Sequence, residues 1–240
     1  MKILALDSSG LVASCAVLEK RDNGEERILA LCSTDFKKTH SQTLLPMIDH
    51  ICEQTDSKAG DFDAVAVAAG PGSFTGLRIG SATAKAIAMA ADVPIIEVPT
   101  LLGLAYNFRC EKRAVCPMMD ARRNQVYSAV YGFEDGRTVV YKEQSALALD
   151  EMTEFINSLG KEVVFLGDGV DAYRDEIVSK VKVPCVFAPA HLNRQNAASV
   201  AVLASEMYAE GKTVNADDHS PEYLRVSQAE REGAKNFDLT

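Results

Sequence analysis

The chain has 240 residues, 47% of them apolar, and carries a formal net charge of −9 with an isoelectric point near 5.0. That length suits one large domain or two small ones with a real core. The acidic balance, with no basic run longer than the pairs Lys37-Lys38 and Arg122-Arg123, argues against a protein that grips a nucleic-acid backbone by itself.

Two apolar runs, 2–7 and 12–18, are joined across Gly10 and predict a tight hairpin. A third strand is predicted over 27–34. Helical spacing then takes over across 39–55, where Thr39 and Gln42 have the spacing of a capping box and Leu44, Ile48, Ile51 and Cys52 share one face. Pro46 lacks an amide and clashes with the preceding turn, so it predicts a late start or a kink. Residues 63–69 predict a buried strand that ends in the sharp turn Gly70-Pro71-Gly72. An alanine-rich helix follows over 73–91, then a short strand over 93–98 and a helix opened by Pro99 and Thr100 that runs to Asn107.

From residue 114 the order restarts. Strands are predicted over 114–120, 125–133 and 137–142, a helix over 150–158, and a strand over 162–166 that ends in Gly167-Asp168-Gly169. A helix over 170–180, a strand over 183–187 and a long helix over 195–210 complete the pattern. The tail, 211–240, is polar and predicted irregular; its Pro221-Glu222-Tyr223-Leu224-Arg225 has the mixture of a segment that docks on the body or on a partner. Both halves read three strands, then helix, strand, helix, strand, helix. Both first strands end in aspartate, Asp7 and Asp120, and both fourth strands end in a glycine-bracketed turn. An internal duplication of this size predicts an α/β protein of two lobes, each a partly parallel sheet with helices on its faces. The lobes expected are 1–107, joined by the tail 211–240, and 108–210.

Asp7-Ser8-Ser9-Gly10 can present a carboxylate to a Mg²⁺-linked phosphate, with the following amides and hydroxyls on the same phosphate. The same residues also make ordinary turns. With Asp120 at the duplicated strand end they outline a nucleotide cleft for ATP or ADP, to which Gly70, Gly72, Gly167 and Gly169 would contribute turns. The run Gly70-Pro71-Gly72-Ser73-Phe74-Thr75-Gly76 is not a P-loop, since Arg78 and Ile79 stand where Lys and Ser/Thr are needed. It reads as an anion-favouring helix start or as a turn capped by Ser73. Along the helix after it, Gly76, Gly80, Ala84 and Ala88 form a stripe of small side chains. Interior glycines cost ~1 kcal/mol each against alanine, so something approaches this backbone closely: the helix's own sheet, or a helix of another subunit. Arg122 is placed to clamp a carboxylate or phosphate, or to sit in an exposed turn. Six scattered cysteines with no CxxC pair, and histidines at 40, 50, 191 and 219 with no HxxxH spacing, predict reduced, buried thiols and no metal site. No Ser/His/Asp arrangement can be built from these histidines.

ALDSSG near the start, THSQTLLPMID, AVAAGPGSFTGLRIGSATAKAIA, MDARRNQVY and SPEYLR in the tail together resemble the TsaB family, also called YeaZ. The resemblance spans nearly the whole chain, and GPGSFTGLRIG is its most specific part. It implies a two-lobed actin-like, sugar-kinase-like ATPase fold of RNase H-like topology. It further implies a non-catalytic dimerisation or scaffold subunit that pairs with TsaD, the enzyme that transfers a threonylcarbamoyl group to a tRNA adenosine beside the anticodon. The same resemblance implies that TsaE joins through the assembled complex, that the subunit alone self-associates into a homodimer, and that tRNA is met only indirectly. TsaD-type enzymes hold a metal through HxxxH on the helix that opens near Pro99 here; this chain reads PTLLGLAYN there, without histidine. The family's partner-binding helices map onto 39–55 and 73–91. The interface residues they imply are His40, Leu44, Leu45, Ile48, Gly76, Leu77, Gly80, Ala84 and Ala88, with ATP or ADP and Mg²⁺ at or near that interface. The rival reading is an autonomous ATPase or small-molecule kinase of the same fold that works through Asp7 and Asp120. The start MKILALDSSG is too short and too soon interrupted by Asp7 for a signal peptide, and no stretch reaches membrane-spanning length, so the cytoplasm is the expected location, with no membrane partner.

Overall fold

The computed structural model describes residues 1–36 and 38–224. Lys37 of the Lys37-Lys38 pair, and Arg225 with the remainder of the tail, lie outside the described residues.

The first sheet contains β1 (Lys2–Asp7), β2 (Ala13–Lys20), β3 (Glu26–Thr34), β4 (Ala64–Gly70) and β5 (Ile95–Pro99) in the order β3-β2-β1-β4-β5. Strands β1, β2 and β3 pair antiparallel through short connections, while β4 and β5 run parallel to β1. Parallel neighbours need a crossover, and helices α1 (His40–Gln54) and α2 (Phe74–Ala91) supply it. The second sheet repeats the plan with β6 (Ala114–Asp120), β7 (Gln125–Glu134), β8 (Arg137–Ala148), β9 (Val163–Leu166) and β10 (Cys185–Phe187), ordered β10-β9-β6-β7-β8. Here α4 (Leu149–Leu159) and α5 (Asp168–Lys180) make the crossovers. Read from either end, the two orders are the same, and the duplication expected from the sequence is present in the topology.

Alternation along the strands sends side chains to two cores per sheet. Leu4, Leu6, Val65 and Val67 face α1 and α2, while Ile3, Ala5, Ala64 and Ala66 face the other way. That second face is covered by Val200, Ala201, Leu203 and Ala204 of α6 (Ala197–Ala209), the last helix of the chain's second half. Conversely α3 (Thr100–Ala105), which closes the first half, packs Leu101, Leu104 and Ala105 against Val115, Met119 and Ala129 of the second sheet. Each half thus lends its closing helix to the other's sheet.

Local departures from the expectations have physical causes. Strand β8 runs on to Ala148 because Ser145–Ala148 pair with Gln125–Ser128, beyond the bulge that shifts the register near Val130. Helix α1 starts before Pro46, at His40, without the capping box: the Thr39 hydroxyl turns to Ser41 Oγ at 3.1 Å instead of an amide. Helix α6 starts at Ala197 because Asn196 Oδ1 accepts from the Ala198 amide at 2.9 Å, which leaves Gln195 ahead of the helix. The tail is irregular to Leu224 apart from one antiparallel bridge, Val214 to Ile95.

Candidate functional site

Strand β1 is buried on both faces and delivers Asp7 into the interior, 1% exposed. Its Oδ1 accepts from the Ser9 amide at 2.9 Å and the Ser9 hydroxyl at 2.6 Å, which closes the loop on itself. Burial pushes the Asp7 carboxyl up to about 6, against the pull of the Ser9 hydrogen bonds and the nearby His40 ring. His40, at the start of α1, holds the same loop from the other side through Nε2 to the Gly10 carbonyl at 2.8 Å. Over Gly10 lies Gln195, 2% exposed, so close that a Cβ on Gly10 would sit 2.5 Å from its Nε2. Among the described residues neither amide atom of Gln195 has a hydrogen-bond partner, nor has Nδ1 of His40. No motif marked Gln195 in advance; its place comes from the strap 189–196, which returns from the second sheet to the first.

The strap is tied to both lobes. The Gly167 amide donates to the Asn193 carbonyl at 3.1 Å, and Asn107 Nδ2 donates to the Leu192 and Arg194 carbonyls at 3.0 and 2.8 Å. Arg194 pairs with Asp171 of α5 and, at 3.4 Å, with Asp35 beyond β3. It also faces Asp168, whose carboxyl is pushed up to about 6 by burial and by Asp120, offset by its own amide and by Arg194. Asp168 Oδ1 is a buried atom with no hydrogen-bond partner among the described residues.

This places the carboxylates differently from the sequence expectation. Asp7 and Asp120 were expected as a facing pair. Asp120 is exposed, its Oδ1 taken by the Arg122 amide at 2.7 Å and the Tyr173 hydroxyl at 3.3 Å. In the second lobe the carboxylate drawn partly inside is that of Asp168, a half-buried residue within the glycine bracket Gly167-Asp168-Gly169. Arg122 itself sits in a turn with φ of +62°.

The glycine turns are filled by the chain's own backbone. A side chain at Gly70 would strike the Glu222 carbonyl, at Gly72 the Ser9 carbonyl, at Gly167 the Met118 carbonyl, and at Gly169 the Met118 and Met119 backbone. The amides are used as well: Gly70 N donates to Thr100 Oγ1 at 3.1 Å, Ser73 N to the Ser9 carbonyl at 2.7 Å, and Gly167 N to Asn193. A phosphate at such a turn is held by free amides; those of Gly70, Ser73 and Gly167 are already used within the chain. Among the described residues no group of three or more His, Cys, Asp or Glu side chains is placed to hold a metal, and no helix is long and apolar enough to cross a membrane.

The stripe on α2 faces inward. Gly76 and Gly80 lie against Ser8, whose hydroxyl donates to the Gly76 carbonyl at 2.8 Å, while Ala84 and Ala88 are fully buried in the core shared with α1. Of the two approaches that the stripe allowed, the one seen here is its own lobe. Leu44, Ile48 and Leu77 are buried too, and His40 is half-buried on the Gly10 loop. What α1 shows outward is Leu45, 60% exposed, at the edge of an apolar groove of about 590 Å³ between α1 and α2 that Ile48, Cys52, Phe62 and Ile87 also line. The tail segment closes the other end of α2: the Glu222 amide pairs with the Ala69 carbonyl at 2.7 Å and Tyr223 packs on Phe74, ring centres 4.8 Å apart, with Arg78 4.0 Å over the Phe74 ring.

The model of the family described as tRNA N6-adenosine threonylcarbamoyltransferase, TsaD, matches residues 34–233. The chain is 31% identical to the tRNA threonylcarbamoyladenosine biosynthesis protein TsaB of Bacillus subtilis over 96% of both chains. It is 32% identical to the protein of that name from Escherichia coli, over 95% of this chain and 96% of the relative. Among solved structures it is similar to YeaZ from Pseudomonas aeruginosa, with a TM-score of 0.75 at 25% identity over 93% of this chain and 99% of that one. The two-lobed, duplicated architecture is thus the actin-like, RNase H-like ATPase fold.

Proposed function

The chain belongs to the TsaB family of tRNA threonylcarbamoyladenosine biosynthesis proteins, and on that premise we propose that it is the non-catalytic scaffold subunit that pairs with TsaD. TsaE joins the assembled complex, TsaD holds the tRNA, and the chain by itself forms a homodimer through the same face. Its place is the cytoplasm. Residues 1–107 and 108–210 act as the two lobes, locked by the exchanged helices α3 and α6 and by the strap. This reading has support from α3, which carries no histidine and whose Leu101, Leu104 and Ala105 are spent on packing. The rival, an autonomous ATPase or kinase acting through Asp7 and Asp120, draws no support from an exposed Asp120 and filled glycine turns.

The observation that carries the docking reading is the groove between α1 and α2 with Leu45 exposed at its edge. In this proposal Leu45 contacts the partner directly. His40, Leu44, Ile48, Gly76, Leu77, Gly80, Ala84 and Ala88 form the layer that shapes the two helices behind it. A charge buried unpaired at a dry interface costs several kcal/mol, on the order of 3–5. Leu45→Glu is therefore expected to abolish co-purification with TsaD from the same organism while the circular dichroism spectrum stays that of the parent. Undiminished pairing by Leu45→Glu would remove α1 from the interface. Ala84→Glu is the wrong probe of docking, since its carboxylate would be forced into the chain's own core.

A further inference from the structure

Three thiols converge in the first lobe, and one of them, Cys52, also lines the groove between α1 and α2. Cys15 is fully buried on β2, Cys32 is half-buried on β3, and Cys52 is half-buried on α1; all three pack into the core between the first sheet and that helix. Cys15 and Cys32 are direct partners in the antiparallel register of β2 and β3. Directly opposite residues point to the same face of the sheet, and their Cα atoms stand about 4.5 or about 5.5 Å apart in the two kinds of antiparallel pair. Both spacings lie within the ~4.4–6.8 Å that a disulfide spans. No disulfide is present: all three cysteines are free.

We propose that Cys15 and Cys32 are a redox-modifiable pair that a hydroperoxide closes into a cross-strand disulfide, stapling β3, the edge strand, to β2 beneath helix α1. Cys32 is the sulfur oxidised first. It lies on the outermost strand, whereas burial, with Cys32 and Cys52 beside it, pushes the Cys15 thiol up to about 12 and keeps it protonated. In the first step the Cys32 thiolate attacks the peroxide; the O–O bond breaks, a sulfenic acid forms, and the other oxygen leaves as water once protonated. In the second, the Cys15 sulfur attacks the sulfenyl sulfur, the S–O bond breaks, and that oxygen departs as water with the Cys15 proton. Two thiols and one hydrogen peroxide give one disulfide and two waters. Cys52 reaches the same core from the helix, but it has no strand partner to fix its distance, and the register selects Cys15 for Cys32.

The test is hydrogen peroxide treatment of the purified chain, followed by alkylation of the remaining thiols and non-reducing peptide mapping. The free-thiol titre of the denatured protein should fall by two from the six of the sequence, with peptides containing Cys15 and Cys32 joined and released again by dithiothreitol. Cys32→Ala should lose the joined pair and Cys52→Ala should keep it. Cys32 carrying oxygen while Cys15 is still alkylated would overturn the proposal, as would a joined pair that includes Cys52; both are read on the unmutated chain, so no variant has to fold for the answer.

Discussion

Gly76→Ala lowers the stability of this protein, and Gly60→Ala does not. Alanine replaces glycine inside a helix with a gain of up to ~1 kcal/mol, so the bare expectation for α2 is stabilisation. At Gly76 the added methyl would meet the carbonyl oxygen of Ser8 far inside van der Waals contact. Ser8 cannot yield easily, because it follows the buried run Ile3–Asp7 of β1 and its hydroxyl is bonded to the Gly76 carbonyl. Helix α2 has to lift off the loop, and overpacking of that kind costs ~1–3 kcal/mol, more where backbone must move. The clash outweighs the propensity, and a net loss of roughly 2 kcal/mol is expected in urea titrations, larger still for Gly76→Val. Around Gly60 no atom lies within 4 Å of a built Cβ, so its replacement keeps only the loss of unfolded-state freedom, a gain of about 0.4–1 kcal/mol. A Gly76→Ala midpoint at or above the parent's would mean that α2 does not rest on Ser8.

Gly76 and Gly80 together show what the sequence can and cannot disclose. Two glycines spaced four apart in an alanine-rich helix announce a close approach, because their cost has to be met by something. What approaches is Ser8, 68 residues earlier in the chain, and no periodicity within the helix can name it. The duplicated strand order was legible for the opposite reason: alternation, helical spacing and glycine turns are local signals, and each half repeats them. Non-local placement hid the rest. Asp168 reads as a turn residue until the strap brings Arg194 over it, and Gln195 reads as a helix start until Asn196 takes the cap and turns it against Gly10. Asp120 was assigned from symmetry with Asp7, but symmetry of the chain does not extend to burial: one strand end is covered by α1, α2 and the strap, and the other opens to solvent.

Asp7→Asn should stabilise the protein at pH 8 and leave it unchanged at pH 4. The parent carboxyl titrates at about 6 in the fold against 3.8 as the ordinary value, with burial as the chief cause. A folded-state pKa that is raised contributes stability below about 3.8 that is lost as pH climbs through about 6. At ~1.36 kcal/mol for each unit of pH, the gap corresponds to roughly 3 kcal/mol once Asp7 is ionised. Asparagine keeps an oxygen for the Ser9 amide and hydroxyl and carries no charge, so the variant gains most of that difference at pH 8 and nothing at pH 4. Asp168, raised in the same direction, gives both proteins a further decline across this range. The discriminating quantity is therefore the gap between the two denaturation curves, measured at several pH values, and a gap that does not widen between pH 4 and pH 8 would show that Asp7 is not held with a raised pKa. The Asp7 loop is what His40, Gln195 and α2 close upon, so the variant also reads how that closure tolerates a neutral side chain.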